Sequence, residues 1–211
     1  MLTKPNPAST TLYSSPKDIR SHVVRFIMAE KNIEREVLNL KIEEIPEEIL
    51  ELNPCQSLPT LFDRGIVLYD LSVVMEYLDE RFPFPPLLSV DPIEKSEKRL
   101  LIFRFTRAPN CWFELADIIE SGSKKNADKA RKVLKSNLIE LVPLFAYKPF
   151  FKSDDMTIVD ACLGALLWRL KKLEIELGKP GKSVIDYANR LFTRDSFKAS
   201  LTDCEKEYNE I

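Results

Sequence analysis

The residues best suited to chemistry in this chain are one histidine, His22, and four cysteines. A single imidazole excludes metal sites built from several histidines, and any hydrolytic triad would have to use His22. His22 lies in segment 18–31, whose apolar residues recur with helical period, so a packing role within a helix is favoured. No CxxC pair occurs among Cys55, Cys111, Cys162 and Cys204, which indicates reduced thiols. We therefore expect neither a metal site nor a bound cofactor.

Composition and charge narrow the class of partner. The chain has 211 residues, 45% of them hydrophobic, which is enough for a substantial core. A net charge of −2 argues against nucleic acid as the main partner. The lysine-rich stretch 124–135 carries apolar residues at helical spacing, so we interpret it as the solvated face of an amphipathic helix rather than a binding patch. No apolar run approaches the roughly 20 residues that span a bilayer. We expect a cytoplasmic protein that contacts no membrane.

A proline at the mouth of a predicted strand, Pro59, organises the first part of the chain. Proline has no N–H to give to a sheet, and an X–Pro bond takes the cis form at modest cost. A short strand, a turn at Asp63-Arg64-Gly65, a second strand and a helix from Asp70 to Phe82 follow Pro59. We predict a cis Leu58–Pro59 bond, with an ordinary turn proline as the alternative.

Periodicity predicts the other elements. Residues 1–10 show none and are expected to form a flexible tail; strands are predicted at 11–14 and 36–40, and helices at 18–31 and 46–52. Three prolines in the run 83–86 forbid a helix or a central strand. Every later pattern is helical, at 92–121, 127–145, 157–173, 183–192 and 195–208. Thr157 and Asp160 are spaced for a capping box at the start of one of these helices.

The chain resembles the glutathione transferases in the order of these elements: a proline turn, a hairpin, a helix and later a capped helix. The resemblance implies a two-domain α+β fold, in which a thioredoxin-like β-α-β-α-β-β-α domain with a cis-proline precedes an all-α bundle. We expect the domains at 11–82 and 93–211, joined by a proline-rich linker at 83–92. Pro59, Thr157 and Asp160 would then have structural roles.

The glutathione site implied by this resemblance is degenerate. The family activates the thiol with a Tyr, Ser or Cys near the first strand, where this chain has Tyr13, Ser14 and Ser15. It holds the γ-glutamyl end with an acidic residue followed by Ser, and the matching pair here is Asp70-Leu71. A leucine side chain donates no hydrogen bond, and a buried polar group without its partner costs on the order of 1–3 kcal/mol. We expect no catalytic residue, and keep a glutathione-dependent transferase or glutathione-binding redox protein as the alternative.

Across nearly its whole length the chain also resembles a narrower family, the stringent starvation protein A proteins. The most specific matching segments are 76–86 and 194–202. The resemblance implies a transcription adaptor of the starvation and stress response that binds RNA polymerase holoenzyme, contacts its sigma factor and works as a homodimer. In keeping with the net charge, we expect no direct sequence-specific binding of nucleic acid.

The predicted partner-binding residues are Pro83, Phe84, Pro85 and Pro86. The family carries a Pro-His-Pro element here, and Phe84 replaces its histidine. A proline-fixed segment loses little entropy on binding, and an aromatic residue is a good anchor for an apolar pocket. The alternative is that Phe84 packs between the two domains. Apolar residues at 100–105, more than one helical face buries, add support for a dimer.

Overall fold

The computed structural model describes residues 10–34 and 36–209, and in these residues it forms two compact units. The first unit holds the chain up to Pro85 together with Ala199–Glu207, and the second holds the chain from Pro86 to Lys198 together with the end of the chain. Predicted tail residues 1–9 lie outside the described residues. No helix of the described chain is long and apolar enough to cross a membrane.

The first unit contains a four-stranded mixed sheet in the order β2-β1-β3-β4. Its elements are β1 (Thr10–Ser14), α1 (Ile19–Glu30), β2 (Glu36–Asn39), a 3-10 turn (Ile42–Glu44), α2 (Glu47–Glu51), β3 (Thr60–Asp63), β4 (Ile66–Leu68) and α3 (Leu71–Arg81). β2 pairs with β1 in parallel, whereas β3 runs antiparallel to both β1 and β4. The predicted β-α-β-α-β-β-α order is confirmed, and the Leu58–Pro59 bond is cis as predicted.

Alternation along the strands gives the sheet two apolar faces. Tyr13 and Phe62 pack with Ile45 and Ile49 on one face. Neighbouring side chains such as Leu12 point to the opposite face, and α1 packs against α3. Thr10, which we assigned to the tail, is instead the first residue of β1. It is buried because it pairs with Asp63 in the ladder, and its hydroxyl donates to the Asp63 carboxylate at 2.6 Å.

The second unit is helical. Its helices are α4 (Pro92–Thr106), α5 (Trp112–Ser121), α6 (Lys124–Glu140), α7 (Val142–Tyr147), α8 (Ile158–Leu167) and α9 (Lys182–Phe192), followed by α10 (Asp195–Ser200). The predicted helix at 92–121 is two helices, because Pro109 cannot donate a helical hydrogen bond and Asn110 takes a positive φ of 56°. Pro143 lies at the corresponding break between α6 and α7. An all-helical region after the prolines is confirmed.

The last helical pattern, 195–208, also divides. α10 is followed by α11 (Asp203–Lys206), whose N-cap Thr202 accepts a hydrogen bond from the Glu205 N–H. Ala199–Glu207 belongs to the first unit, not to a continuous helical domain at 93–211 as we expected. The reason is a set of buried polar contacts with α1, described below.

Candidate functional site

The hydroxyl groups at the end of β1 are already engaged within the first unit. The Ser14 side chain is fully buried, and its oxygen accepts a hydrogen bond from the Arg25 guanidinium. The Ser15 carbonyl accepts another from the same Arg25 nitrogen at 3.0 Å, and the Ser15 N–H donates to Ser21. Ser14 therefore supports Arg25 rather than facing a thiol.

Tyr13 is no better placed to activate a thiol. Its side chain is 1% exposed and belongs to the apolar cluster on one face of the sheet. Burial raises the pKa of Tyr13, and the nearby carboxylates of Glu36 and Glu48 raise it further. The phenol consequently stays neutral.

The Asp70-Leu71 pair forms the start of α3. Asp70 is the N-cap residue, and its carboxylate accepts hydrogen bonds from the N–H groups of Ser72 and Val73 at 3.0 and 3.1 Å. The Ser72 hydroxyl also donates to this carboxylate. Leu71 is buried in the core. The Leu71 side chain is thus apolar and the Ser72 hydroxyl is turned toward Asp70, so neither side chain is directed at a γ-glutamyl carboxylate.

Glutathione is therefore expected to leave the thermal stability of the protein unchanged. The reason is that the Leu71 side chain has no donor and that the Asp70 carboxylate caps α3. A thermal-shift titration up to millimolar glutathione checks this. A dissociation constant in the low micromolar range, near −8 kcal/mol, would contradict it and revive the enzyme alternative.

His22 lies in α1 as predicted, but its surroundings are polar. Its ring is fully buried, with Nε2 3.1 Å from the Ser200 hydroxyl and Nδ1 3.7 Å from a Glu205 oxygen. Arg25 binds the other Glu205 oxygen at 2.7 Å and donates to the Ser200 carbonyl at 2.9 Å. A serine, histidine and glutamate in series could serve nucleophilic chemistry. Here Ser200 is only 2% exposed, so the cluster joins α1 to segment 199–207.

The other predicted structural residues lie in buried positions. Thr157 and Asp160 form the predicted capping box of α8. The Asp160 carboxylate accepts four hydrogen bonds, from the Thr157 N–H and hydroxyl, the Phe151 N–H and the Tyr187 hydroxyl, at 2.6–2.8 Å. Burial raises the pKa of Asp160, and these hydrogen bonds oppose the rise.

The basic stretch 124–135 occupies one side of α6. Ala127, Ala130 and Leu134 are buried, whereas its lysines are exposed. Arg131 pairs with Asp128 and Glu174, both at 3.0 Å. Alternating burial and local ion pairs agree with an amphipathic helix. Within residues 10–34 and 36–209, no group of three or more His, Cys, Asp and Glu side chains is placed to hold a metal ion.

The proline segment, Pro83–Pro86, is exposed at all four residues. Phe84 is 81% exposed, which makes it one of the most exposed large apolar side chains of the described chain. A large aromatic group held out into solvent is unfavourable for folding alone, and such groups are typical of binding surfaces.

Sequence reasoning missed the residues that hold this segment, Lys31 and Asp79. Lys31 is the C-cap of α1, its side chain is fully buried, and its ammonium lies 2.8 Å from Asp79. It also donates to the carbonyls of Phe82 and Pro85, each at 2.6 Å. A signal existed in the sequence, because Asp79 follows Leu78 on the apolar face of the α3 pattern, where a carboxylate requires a buried partner.

Comparison with known proteins shows the relationships of the whole chain. A family model for the glutathione S-transferase N-terminal domain matches residues 20–81. Two solved glutathione S-transferases share the fold: one from Rhodospirillum rubrum (TM-score 0.80, 21% identity, 92% of each chain) and a Tau class enzyme from mango, Mangifera indica (TM-score 0.78, 17% identity, 96% of each chain).

Among curated relatives, the stringent starvation protein A homolog of Coxiella burnetii is 45% identical over 202 residues, with 95% of each chain covered. That of Haemophilus influenzae is 39% identical and covers 90% of this chain and 89% of its own length. At this identity and coverage, the chain belongs to the stringent starvation protein A family of glutathione transferase-like proteins.

Proposed function

We propose that this protein is a transcription adaptor of the starvation and stress response, which binds RNA polymerase holoenzyme and its sigma factor in the cytoplasm without catalysing a reaction. Family membership supports the stress-response role, and the names of the relatives point to starvation. The engaged hydroxyls of β1 and the apolar Leu71 argue against glutathione chemistry. A glutathione-dependent enzyme, as the alternative, rests on the glutathione S-transferase family model that matches residues 20–81 and on the shared fold.

The observation that carries the proposal is the exposed Phe84 on a rigid proline segment. Prolines fix φ on both sides of Phe84, so little conformational freedom is lost when a partner covers it. An aromatic side chain can then enter an apolar pocket of the polymerase or its sigma factor and act as a hot spot. The segment is the proposed docking surface.

The proposed assembly is a homodimer. Three apolar residues on one stripe of α4, at spacings of seven and three, are exposed: Ile93 at 73%, Leu100 at 64% and Phe103 at 46%. Such a stripe is unfavourable in water and is well suited to pairing with a second copy of the chain through a two-fold axis.

Replacing Pro83, Phe84 and Pro85 together with Ala tests the docking surface. We expect the apparent affinity for RNA polymerase to fall by about tenfold or more, roughly 1.4 kcal/mol, while the melting temperature barely moves, because exposed side chains contribute little to stability. Pull-down of purified polymerase holoenzyme and thermal denaturation give the two readings.

Leu52→Ala is the matched control, since Leu52 is an apolar residue 57% exposed in the same unit. Sedimentation of each variant verifies that it stays a dimer, and a monomeric wild type would contradict the proposed assembly. If the triple variant remains folded and dimeric and binds polymerase as well as wild type, the docking surface must lie elsewhere on the protein. The lysines of α6 would then be the next candidate.

A further inference from the structure

We infer that Lys31 and Asp79 are positioning residues for docking: they hold the backbone from Phe82 to Pro85 in the conformation that presents Phe84. This inference rests on the proposed function of the proline segment. It adds two residues that would not themselves touch the partner, because the side chains of Lys31 and Asp79 are 0% and 9% exposed.

The Lys31 ammonium group has as many donors as it has acceptors nearby. A lysine ammonium carries three N–H donors. Its partners are the Asp79 carboxylate at 2.8 Å, the Phe82 carbonyl at 2.6 Å and the Pro85 carbonyl at 2.6 Å. The three donors are thus matched by three acceptors, and the buried cation has no unsatisfied donor.

The two carbonyls bracket Pro83 and Phe84 on a segment whose prolines fix their own φ but supply no N–H donors. Loops are usually held by their own backbone N–H groups, but Pro83, Pro85 and Pro86 have none. Phe84 is the one residue of the proline segment with an N–H. The Lys31 nitrogen supplies donors from outside the segment, and because it binds the carbonyls of both Phe82 and Pro85 it restrains the span between them.

Asp79 keeps that nitrogen in place. It lies in α3 and is buried, so its attraction for Lys31 is little screened by salt. Lys31 lies at the C-terminal end of α1, where the helix dipole also favours a cation. Two helices thus orient one ammonium group toward the docking segment. Preorganisation of this kind raises affinity because less conformational entropy is lost on binding.

The variant Lys31→Met/Asp79→Leu tests the inference, since it removes both charges together and leaves no buried ion unpaired. Two properties are measured: the affinity for RNA polymerase holoenzyme, and the fluorine NMR signal of 4-fluorophenylalanine incorporated at position 84 in the isolated protein. We expect affinity to fall about tenfold, and the fluorine line to report a segment that samples several conformations. Lys41→Met, at an exposed lysine of the same unit, should change neither.

Lys31→Arg is the second variant, in case the double variant does not fold. It keeps the charge that Asp79 needs, but a planar guanidinium does not place its donors as a compact ammonium does. The same change in the fluorine signal and a loss of affinity are expected. If Lys31→Arg restores neither the fluorine signal nor the affinity, the segment needs the three-donor geometry of the ammonium group. If it restores both, a positive charge alone is enough.

The outcomes separate this inference from the proposed function. An unchanged fluorine signal in both variants would overturn the positioning role, whatever happens to affinity. A mobile segment with unchanged polymerase affinity would also overturn it, provided that the Ala variant of the proline segment loses binding. The segment could also be mobile in the Lys31 and Asp79 variants while the Ala variant of the proline segment binds polymerase normally. That result would confirm that Lys31 and Asp79 restrain the segment, but it would refute the docking surface.

Discussion

Replacing Glu205 with Gln is expected to lower the free energy of unfolding by about 3–5 kcal/mol, because it leaves the buried Arg25 guanidinium without its carboxylate. The Glu205 side chain is 0% exposed and that of Arg25 is 6% exposed, so solvent cannot replace the lost charge. Glu205 also accepts from the Thr202 N–H at 3.0 Å, which caps α11. The variant therefore weakens the attachment of segment 199–207 as well.

Urea denaturation at neutral pH measures this change. Glu207→Gln is the matched control, since Glu207 is exposed two residues away, and it should alter stability by no more than about 0.5 kcal/mol. A loss below about 1 kcal/mol for Glu205→Gln would show that the Ser14 and Ser200 oxygens bound by Arg25 compensate the charge on their own.

A second large effect is expected for Asp160→Asn, with a loss of roughly 2–4 kcal/mol. Each carboxylate oxygen of Asp160 accepts one backbone N–H and one hydroxyl. Whichever way the asparagine amide turns, its NH2 group faces a backbone N–H that loses its acceptor, at about 1–3 kcal/mol, and a hydroxyl must reorient. The replacement changes the shape of the side chain very little.

Thermal and urea unfolding of Asp160→Asn should agree on that loss, with Asp154→Asn as the control. Asp154 is 74% exposed in its side chain and pairs with Lys148 at the surface, where such pairs contribute little. Tyr187→Phe, which removes one of the four donors, should fall between the two. Stability of Asp160→Asn equal to that of wild type would mean that Asp160 is dispensable as an acceptor.

Local signals in the sequence predict most of the fold. Pro59, the two-residue turn at Arg64-Gly65 and the box at Thr157 each act within a few residues, and the structure has all three features. The helix breaks at Pro109 and Pro143 were equally local, and were missed because apolar periodicity runs across them. Periodicity reports which residues face a core, but not whether the backbone between them is continuous.

What sequence patterns could not show are contacts between distant residues. Arg25 and Glu205 are 180 residues apart. The helical pattern around each residue does not indicate that the other is its partner. The same holds for Lys31 and Pro85, 54 residues apart. For the candidate site, residue types alone led to the prediction that Asp70-Leu71 is a degenerate pair. Why Ser14 is unavailable depends on the distant Arg25 side chain.

The attachment of Ala199–Glu207 to the first unit has a consequence for synthesis on the ribosome. A nascent chain that has just passed Pro85 contains every strand of the sheet, yet it lacks the glutamate that neutralises Arg25. Domains generally fold in the order in which they emerge, at about 5–20 residues per second. Here the first unit to emerge is the last to be completed, because Glu205, which binds Arg25 at 2.7 Å, is among the last residues to be made. We expect chains that end before Glu205 to be less stable than full-length copies, because they lack the segment that completes the first unit.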